Sequence, residues 1–310
     1  MYNGIINVYK EPGFTSFDVV AKLRGILKQK KIGHTGTLDP DAEGVLVVCL
    51  GKATKLCDVL TDKDKTYIAT LLLGVSTDTE DISGRILEKK EVSLSEETVL
   101  EGIQSFVGSY DQVPPMFSAI KVNGKKLYEL ARQGQVIERQ PRRVTIHEIE
   151  VMECKLPRVV LRISCSKGTY IRSLCRDMGN RLGVGGTMEH LIRESVISSD
   201  TGMRFESGDA LTLSKIEALV KEDNLDSVIL PIDAMFPNLS RLYVNEMGEK
   251  KLQNGNFLYM NDFEVNTDFT EDNGVPDGAS FLIYDRNQSF KAIYCYHKKN
   301  QVFKADKMFL

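Results

Sequence analysis

The chain has 310 residues, 42% hydrophobic and 27% charged, with a formal net charge of −3 and a pI of about 5.9. That length fits roughly two domains, and no run approaches the ~20 apolar residues of a bilayer span. The N-terminus lacks the basic start and apolar core of a secretory signal, so a cytoplasmic protein off the membrane is expected. Six cysteines without a CxxC pair and four histidines without ligand spacing predict reduced core thiols and no metal site.

In chain order, Gly4–Lys10 reads as a strand ended by Pro12-Gly13. Thr15-Ser16 offers a cap, with Asp18 in the first turn, for a helix carrying Val19, Val20, Leu23, Ile26 and Leu27 to about Gln29. The stretch from Gly33 to Gly44 (GHTGTLDPDAEG) follows. It holds a histidine, two threonines and three carboxylates between glycines, a shaped loop entering a buried strand. On spacing alone, Asp39-Pro40 is either a turn or a chemical site. Val45–Leu50 is too apolar to be half exposed and is predicted to be a central strand. A short helix (Thr54–Leu60), a strand (Lys65–Gly74) and a polar loop (Thr77–Gly84) come next. Ser93 and Glu96 have capping-box spacing ahead of a helix marked by Val99, Ile103 and Phe106.

After Pro114-Pro115, the pattern predicts a strand (Ser118–Val122), an Asn123-Gly124 turn, a helix (Lys126–Gln133) and a return strand (Arg143–Met152). A strand at Val159–Cys165 leads into a helix from Thr169 to Leu182, which buries Ile171, Leu174, Cys175, Met178 and Leu182 and leaves Arg172 and Arg176 on its flank. A strand (Glu194–Ser199) and a helix (Leu213–Val220) close this unit, and Leu230–Pro237 reads as a linker. Beyond residue 238, short strands at Gly255–Met260, Ala279–Tyr284 and Phe290–Tyr296 predict a small all-β module.

Charge is segregated. Residues 119–145 carry Lys121, Lys125, Lys126, Arg132, Arg139, Arg142 and Arg143 against only Glu129 and Glu138. Lys155 to Arg176 has no acid at all, and acid gathers from Asp262 to Asp277. Such a basic surface is the footprint of a polyanion binder, whatever the net charge.

Several of these pieces together resemble the TruB family, the bacterial synthases that make pseudouridine at position 55 in the tRNA T-loop. The matching stretches are Lys10–Ser16, Gly33–Pro40, Lys65-Thr66-Tyr67, Pro114–Lys121, Gly124–Tyr128, Cys165–Arg172 and, more loosely, Leu191 with Arg193. They span residues 3–235 in order; Thr187–His190 departs from the family's more apolar pattern. The resemblance implies an α+β fold, with a mixed, largely antiparallel sheet flanked by helices. It divides the chain into a catalytic domain (1–238), carrying a basic RNA-gripping insertion near 119–145, and a PUA-like RNA-binding barrel (239–310).

It further implies cofactor-free isomerisation of uridine. Asp39 would be the catalytic carboxylate, Arg172 its ion-pair partner, and Tyr67 the ring stacked on the flipped base. His34 would fill the space that the base leaves. Leu191 would line the pocket, Lys10 would brace the loop, and Lys121, Lys125, Lys126, Arg142 and Arg143 would hold the T-stem and loop. Asp41 and Glu43 are read as loop-shaping or solvated. A monomer without an obligate protein partner is expected. The alternatives are the catalytic subunit of an RNA-guided complex, an RNA-folding protein with secondary catalysis, and a carbohydrate hydrolase pairing Asp39 with Glu43.

Overall fold

The computed structural model describes residues 1–61, 63–122, 124–198, 202–264 and 274–310. Its elements begin with β1 (Gly4–Lys10), α1 (Ser16–Ile26), β2 (Ile32–His34), β3 (Glu43–Leu50), α2 (Cys57–Thr61), β4 (Asp64–Leu73), β5 (Val75–Thr77) and β6 (Ile86–Lys89). They continue with α3 (Glu96–Gln104), β7 (Gly108–Gln112), β8 (Lys121–Val122), β9 (Lys125–Lys126), α4 (Leu127–Arg132), β10 (Arg142–Lys155), β11 (Arg158–Cys165) and α5 (Ile171–Arg181). The remainder are β12 (Gly186–Ile197), β13 (Arg204–Glu206), α6 (Leu213–Lys221), β14 (Ser240–Tyr243), α7 (Glu246–Gln253), β15 (Ser280–Tyr284), β16 (Phe290–His297) and β17 (Val302–Met308).

One large sheet runs β1-β3-β12-β4-β11-β10-β7, with β2 on β3 and β13 on β12. Its pairings are antiparallel except β12 with β3, where Ile192 faces Glu43 and Arg193 faces Gly44. The mixed, largely antiparallel sheet is therefore as expected. The order is not the sequence order, because β12 wedges between β3 and β4 and so joins the two strands that carry the site. Only its ladders to β4 and β3 fix this place, and no local pattern encodes them. Accordingly, β12 begins at Gly186, eight residues before the strand read from the sequence at Glu194, whose predicted end Ser199 lies outside the described residues.

The continuous apolar run of β3 is buried on both faces. Leu46, Val48 and Leu50 join Ile6 and Val8 against Val19, Val20 and Leu23 of α1 and Ile216 of α6. Val45, Val47 and Cys49 join Ile5 on the opposite face, against Ile232, Met235, Leu282, Tyr284, Ile293 and Phe309. The last four belong to the C-terminal module, so it is the second layer over β1 and β3. The predicted linker is likewise packed: Leu230 pairs with Ile5, and Ile232 and Met235 are buried.

Most local signals hold, but the strand predicted at Ser118–Val122 shortens to Lys121–Val122, and the helix predicted at Thr54–Leu60 is a 3-10 turn to Leu56 followed by α2. Thr15 and Asp18 form a complete capping box on α1, which ends at Ile26 instead of Gln29. The cap of α3 is Ser95, not Ser93, because the Ser95 hydroxyl reaches the Thr98 amide. The C-terminal module is not all-β, since Asn245 caps α7, and Gly255–Met260 forms only a single bridge from Leu258 to Phe303. Asn123 of the predicted turn and residues 265–273 of the acidic run lie outside the described residues. All six cysteines are free thiols.

Candidate active site

The loop between β2 and β3 is fixed from three sides. The Ser16 hydroxyl of α1 accepts from the Leu38 amide (2.9 Å) and donates to the Leu38 carbonyl (3.3 Å). The Gly13 amide donates to Pro40 O, and the Ala42 amide donates to Asp39 O at 3.2 Å, closing an Asp39–Ala42 turn. Beneath it Lys10 is fully buried; its ammonium donates to Glu11 O, Pro40 O (2.9 Å) and Ala42 O. Burial lowers Lys10 to about 8, against the pull of Asp39, Asp41 and Glu43, so it still carries its proton at neutral pH. Gly44 is needed where the loop enters β3. Its φ is +103°, and a Cβ would lie 2.3 Å from Arg193 O.

Asp39 and the first turn of α5 meet across this loop. Arg172 Nε lies 2.9 Å from Asp39 Oδ2, and its Nη2 donates to Asp39 Oδ1 at 3.1 Å, a two-point fork. The guanidinium also donates to Thr79 O (3.2 Å) and Phe117 O (2.9 Å) and sits 3.5 Å from Asp81 Oδ2. The Arg172 side chain is 7% exposed, whereas Asp39 keeps 35% of its side chain open. Burial nevertheless pushes the Asp39 carboxyl above its usual value; Arg172 and then Lys10 pull it back, and Asp81 and Asp41 add to the rise.

Tyr67 on β4, Leu38 and Leu191 on β12 share one buried cluster. Burial raises the Tyr67 hydroxyl's pKa, and the Arg193 guanidinium, directly across the strand pair, opposes the rise. His34 ends β2 and accepts from the Gly36 amide at Nδ1 (3.3 Å). Burial, helped by Arg193, lowers its pKa, so it presents a neutral ring at pH 7.

A part-exposed carboxylate is thus held by a buried guanidinium beside a buried cluster that contains a tyrosine and two leucines, and the chain can be compared with known proteins. Residues 24–171 match the model of the TruB family pseudouridylate synthase N-terminal domain. Residues 172–237 match that of the tRNA pseudouridylate synthase B C-terminal domain. A tRNA pseudouridine synthase B of Lachnoclostridium phytofermentans is 52% identical, over 99% of this chain and all of that one. One of Bacillus cereus is 40% identical, over 96% and 94%. The chain belongs to the TruB family of pseudouridylate synthases. Among solved structures, a Cbf5–Nop10–Gar1 complex aligns with a TM-score of 0.69 and 25% identity, over 99% of this chain and 85% of that one.

Asp39 and Arg172 are in direct contact, Tyr67 and Leu191 lie in the buried cluster that also holds Leu38 of the loop, Lys10 is bonded to the loop backbone, and His34 stands at the end of β2. Arg172 is not a flank residue of α5, as the helical stripe implied, but a buried one. Lys121, Lys125, Lys126, Arg142 and Arg143 lie apart from these groups, on the β8–β9 ribbon and the start of β10; of the five only Lys126 is half buried. Lys121 sits directly opposite Lys126, a like-charge cross-strand pair that an isolated ribbon would disfavour and a polyanion would relieve.

Glu43 is not available as a second acid, because it accepts from Tyr9 (2.9 Å) and pairs with His190 (3.0 Å). The sequence alone assigns no role to Asp81 or Arg193. Arg193 is 2% exposed and donates to Val45 O (2.6 Å) and Gly36 O (3.1 Å), tying both ends of the loop to β12. A lone arginine in the apolar run Leu191-Ile192-Arg193 is its available signal. Asp81 has none, since its approach to Arg172 depends on a polar loop folding back.

Proposed function

We propose that this TruB-family chain isomerises uridine to pseudouridine at position 55 of the T-loop of tRNA, acting alone in the cytoplasm as a monomer without a cofactor. The reading rests on the forked Asp39–Arg172 pair beside the buried cluster of Tyr67, Leu191 and Leu38.

The reaction detaches N1 of uracil from C1′, turns the base and rejoins it through C5, which then gives up its proton. Atoms balance within the nucleotide, so the chain must supply a carboxylate, a proton carrier and a dry place to hold a free base. Asp39 supplies the ionised carboxylate, and Arg172 aims it. Tyr67 stacks on the base, with its hydroxyl available to move the C5 proton. Leu191 and Leu38 exclude the water that would hydrolyse the sugar intermediate. The base must leave an RNA stack, at a cost of a few kcal/mol (about 2–4), and the neutral His34 ring fits the vacated place by stacking.

Residues 119–145 grip the T-stem through phosphates, and residues 239–310 form a PUA-like RNA-binding domain that follows a catalytic domain of residues 1–238. The RNA-guided reading is favoured only by the likeness to the Cbf5-containing complex. The basic ribbon, whose preceding loop is held by Arg172 through Phe117 O, and the names of the curated relatives favour the stand-alone enzyme.

Asp39→Asn decides the matter. On unmodified tRNA it is expected to form no pseudouridine while binding with near wild-type affinity. Pseudouridine made by this variant would remove Asp39 from the chemistry, and modification mapped to another position would remove the T-loop assignment.

A further inference from the structure

One exposed basic surface lies outside the site just described. From Val19 to Leu38 the chain has no acid, yet it carries Lys22, Arg24, Lys28, Lys30 and Lys31, all exposed. Among the described residues none of the five has a carboxylate partner within ion-pair distance; the nearest acid in sequence, Asp18, is committed to the Thr15 cap. Two phenylalanines are interleaved with these cations. Phe17 is 66% exposed on the first turn of α1, with Arg24 6.0 Å from its ring centroid. Lys22 Nζ lies 4.7 Å over the Phe14 ring.

Phe17, Ala21 and Arg24 follow one another at i, i+4 and i+7, a stripe along α1 about 10 Å long at 1.5 Å per residue, and the exposed Lys28 comes next, beyond the helix end and at a φ of +49°. This basic surface begins beside Ser16, which is hydrogen-bonded in both directions to Leu38, the neighbour of Asp39. It ends in the turn carrying Lys30 and Lys31, from which β2 leads straight back to His34. The basic surface is thus anchored at both ends to the catalytic loop, and it lies on other elements than the β8–β9 ribbon. Cations without a carboxylate partner beside an exposed flat ring are what a nucleic-acid backbone and its unstacked bases engage; a protein partner would call for a broader apolar centre.

Resting on the pseudouridine synthase reading, we propose that the exposed face of α1 and the turn into β2 form a second RNA-binding surface. It takes the backbone of the substrate RNA outside the T-stem and loop, with Phe17 as its stacking group. It would let the enzyme distinguish a whole tRNA from an isolated stem-loop.

The test compares Lys22→Gln/Lys28→Gln/Lys30→Gln with wild type on unmodified full-length tRNA and on an isolated T-stem-loop, across a salt series. The triple variant is expected to bind full-length tRNA at least tenfold more weakly, with a log–log salt slope shallower by about one for each phosphate no longer neutralised. Its affinity for the stem-loop should be unchanged. Phe17→Ser, which alters no charge, should weaken full-length binding several-fold and leave the stem-loop alone. An unchanged slope with full-length tRNA overturns the inference and leaves the face for a protein partner; equal losses on both RNAs overturn the assignment outside the T-arm. Wild-type turnover on both RNAs, measured alongside, tests the enzyme reading separately.

Discussion

At the scale of single residues, the site is a contest between burial and charge. Burial drives Asp39 toward its neutral form, and the chemistry needs it ionised; Arg172 is the strongest opposing influence. Because the carboxyl's pKa is raised, protonation begins at higher pH than for a free aspartate. The acid limb of kcat should therefore lie above the ordinary value of 3.8. Arg172→Gln removes the opposing charge, so its limb should move to still higher pH, with kcat at pH 7 down by about 10²-fold or more, as for a lost charge-stabilising donor. Arg172→Lys keeps a charge without the fork. It should lose most of the turnover while binding tRNA, and near-normal turnover would show that geometry is not what Arg172 provides. Single-turnover rates over a pH series, with binding measured in parallel, distinguish these outcomes.

At the scale of elements, the loop from Gly33 to Gly44 contains the turn that its spacing allowed, and under the proposed function that turn is also the chemical site. Asp39–Ala42 is a turn, and that turn is what presents the carboxylate. The glycine at its end is as constrained as any catalytic group. Gly44→Ala must relieve a positive φ and a clash with β12, at a cost of about 1–3 kcal/mol of backbone strain. It should lower Tm and, by shifting the loop, kcat; an unaltered Tm would show that the loop yields there. The β8–β9 ribbon is tied to the chemistry through Phe117 O, held by Arg172, and packs its own small core of Met116, Leu127 and Leu130. Lys125→Glu/Lys126→Glu should therefore weaken tRNA binding and flatten its salt dependence with little loss of stability. An unchanged slope would take the ribbon out of the RNA footprint.

What the sequence disclosed at this scale follows from the range of the interaction. The cap at Thr15, the helix of Val19 to Leu27, the doubly buried strand at Val45 and the alternation of β11 are written in neighbours a few residues apart. Asp39, Tyr67 and Arg172 were legible only through the resemblance, since a tyrosine in a strand or an arginine on a helix is ordinary by itself. The burial of Arg172, the part played by Asp81, the bracing by Arg193 and the early start of β12 depend on partners roughly a hundred or more positions distant. No local pattern records them.

At the scale of the whole molecule, the C-terminal module is structural before it is anything else. Phe309 is 1% exposed, stacks near Phe290 at 5.3 Å and sits in the cluster that covers Val45 and Val47, and the Phe309 amide donates to Lys291 O. Phe309→Ala should cost about 3–5 kcal/mol, the usual range for emptying a buried aromatic site. The loss would appear as a lower Tm for the unit that bears the active site, although residue 309 is far from Asp39 in sequence. A separate, unaffected transition for residues 1–238 would show that the module is merely appended.

The place of β12 has a consequence for how the chain is made. Strand β3, which follows the Asp39 loop, and β4, which bears Tyr67, leave the ribosome early, but the strand that must lie between them comes more than a hundred residues later. At about 5–20 residues per second, that is a wait of several seconds or more. During it the apolar edges of β3 and β4 have no permanent neighbour, and direct pairing of the two is the obvious wrong turn. Correct assembly then requires opening a gap for a late arrival, the kind of long-range closure that slows folding. Nascent chains stalled before and after residue 197 should differ sharply in protease resistance, with the catalytic loop gaining protection only in the longer ones.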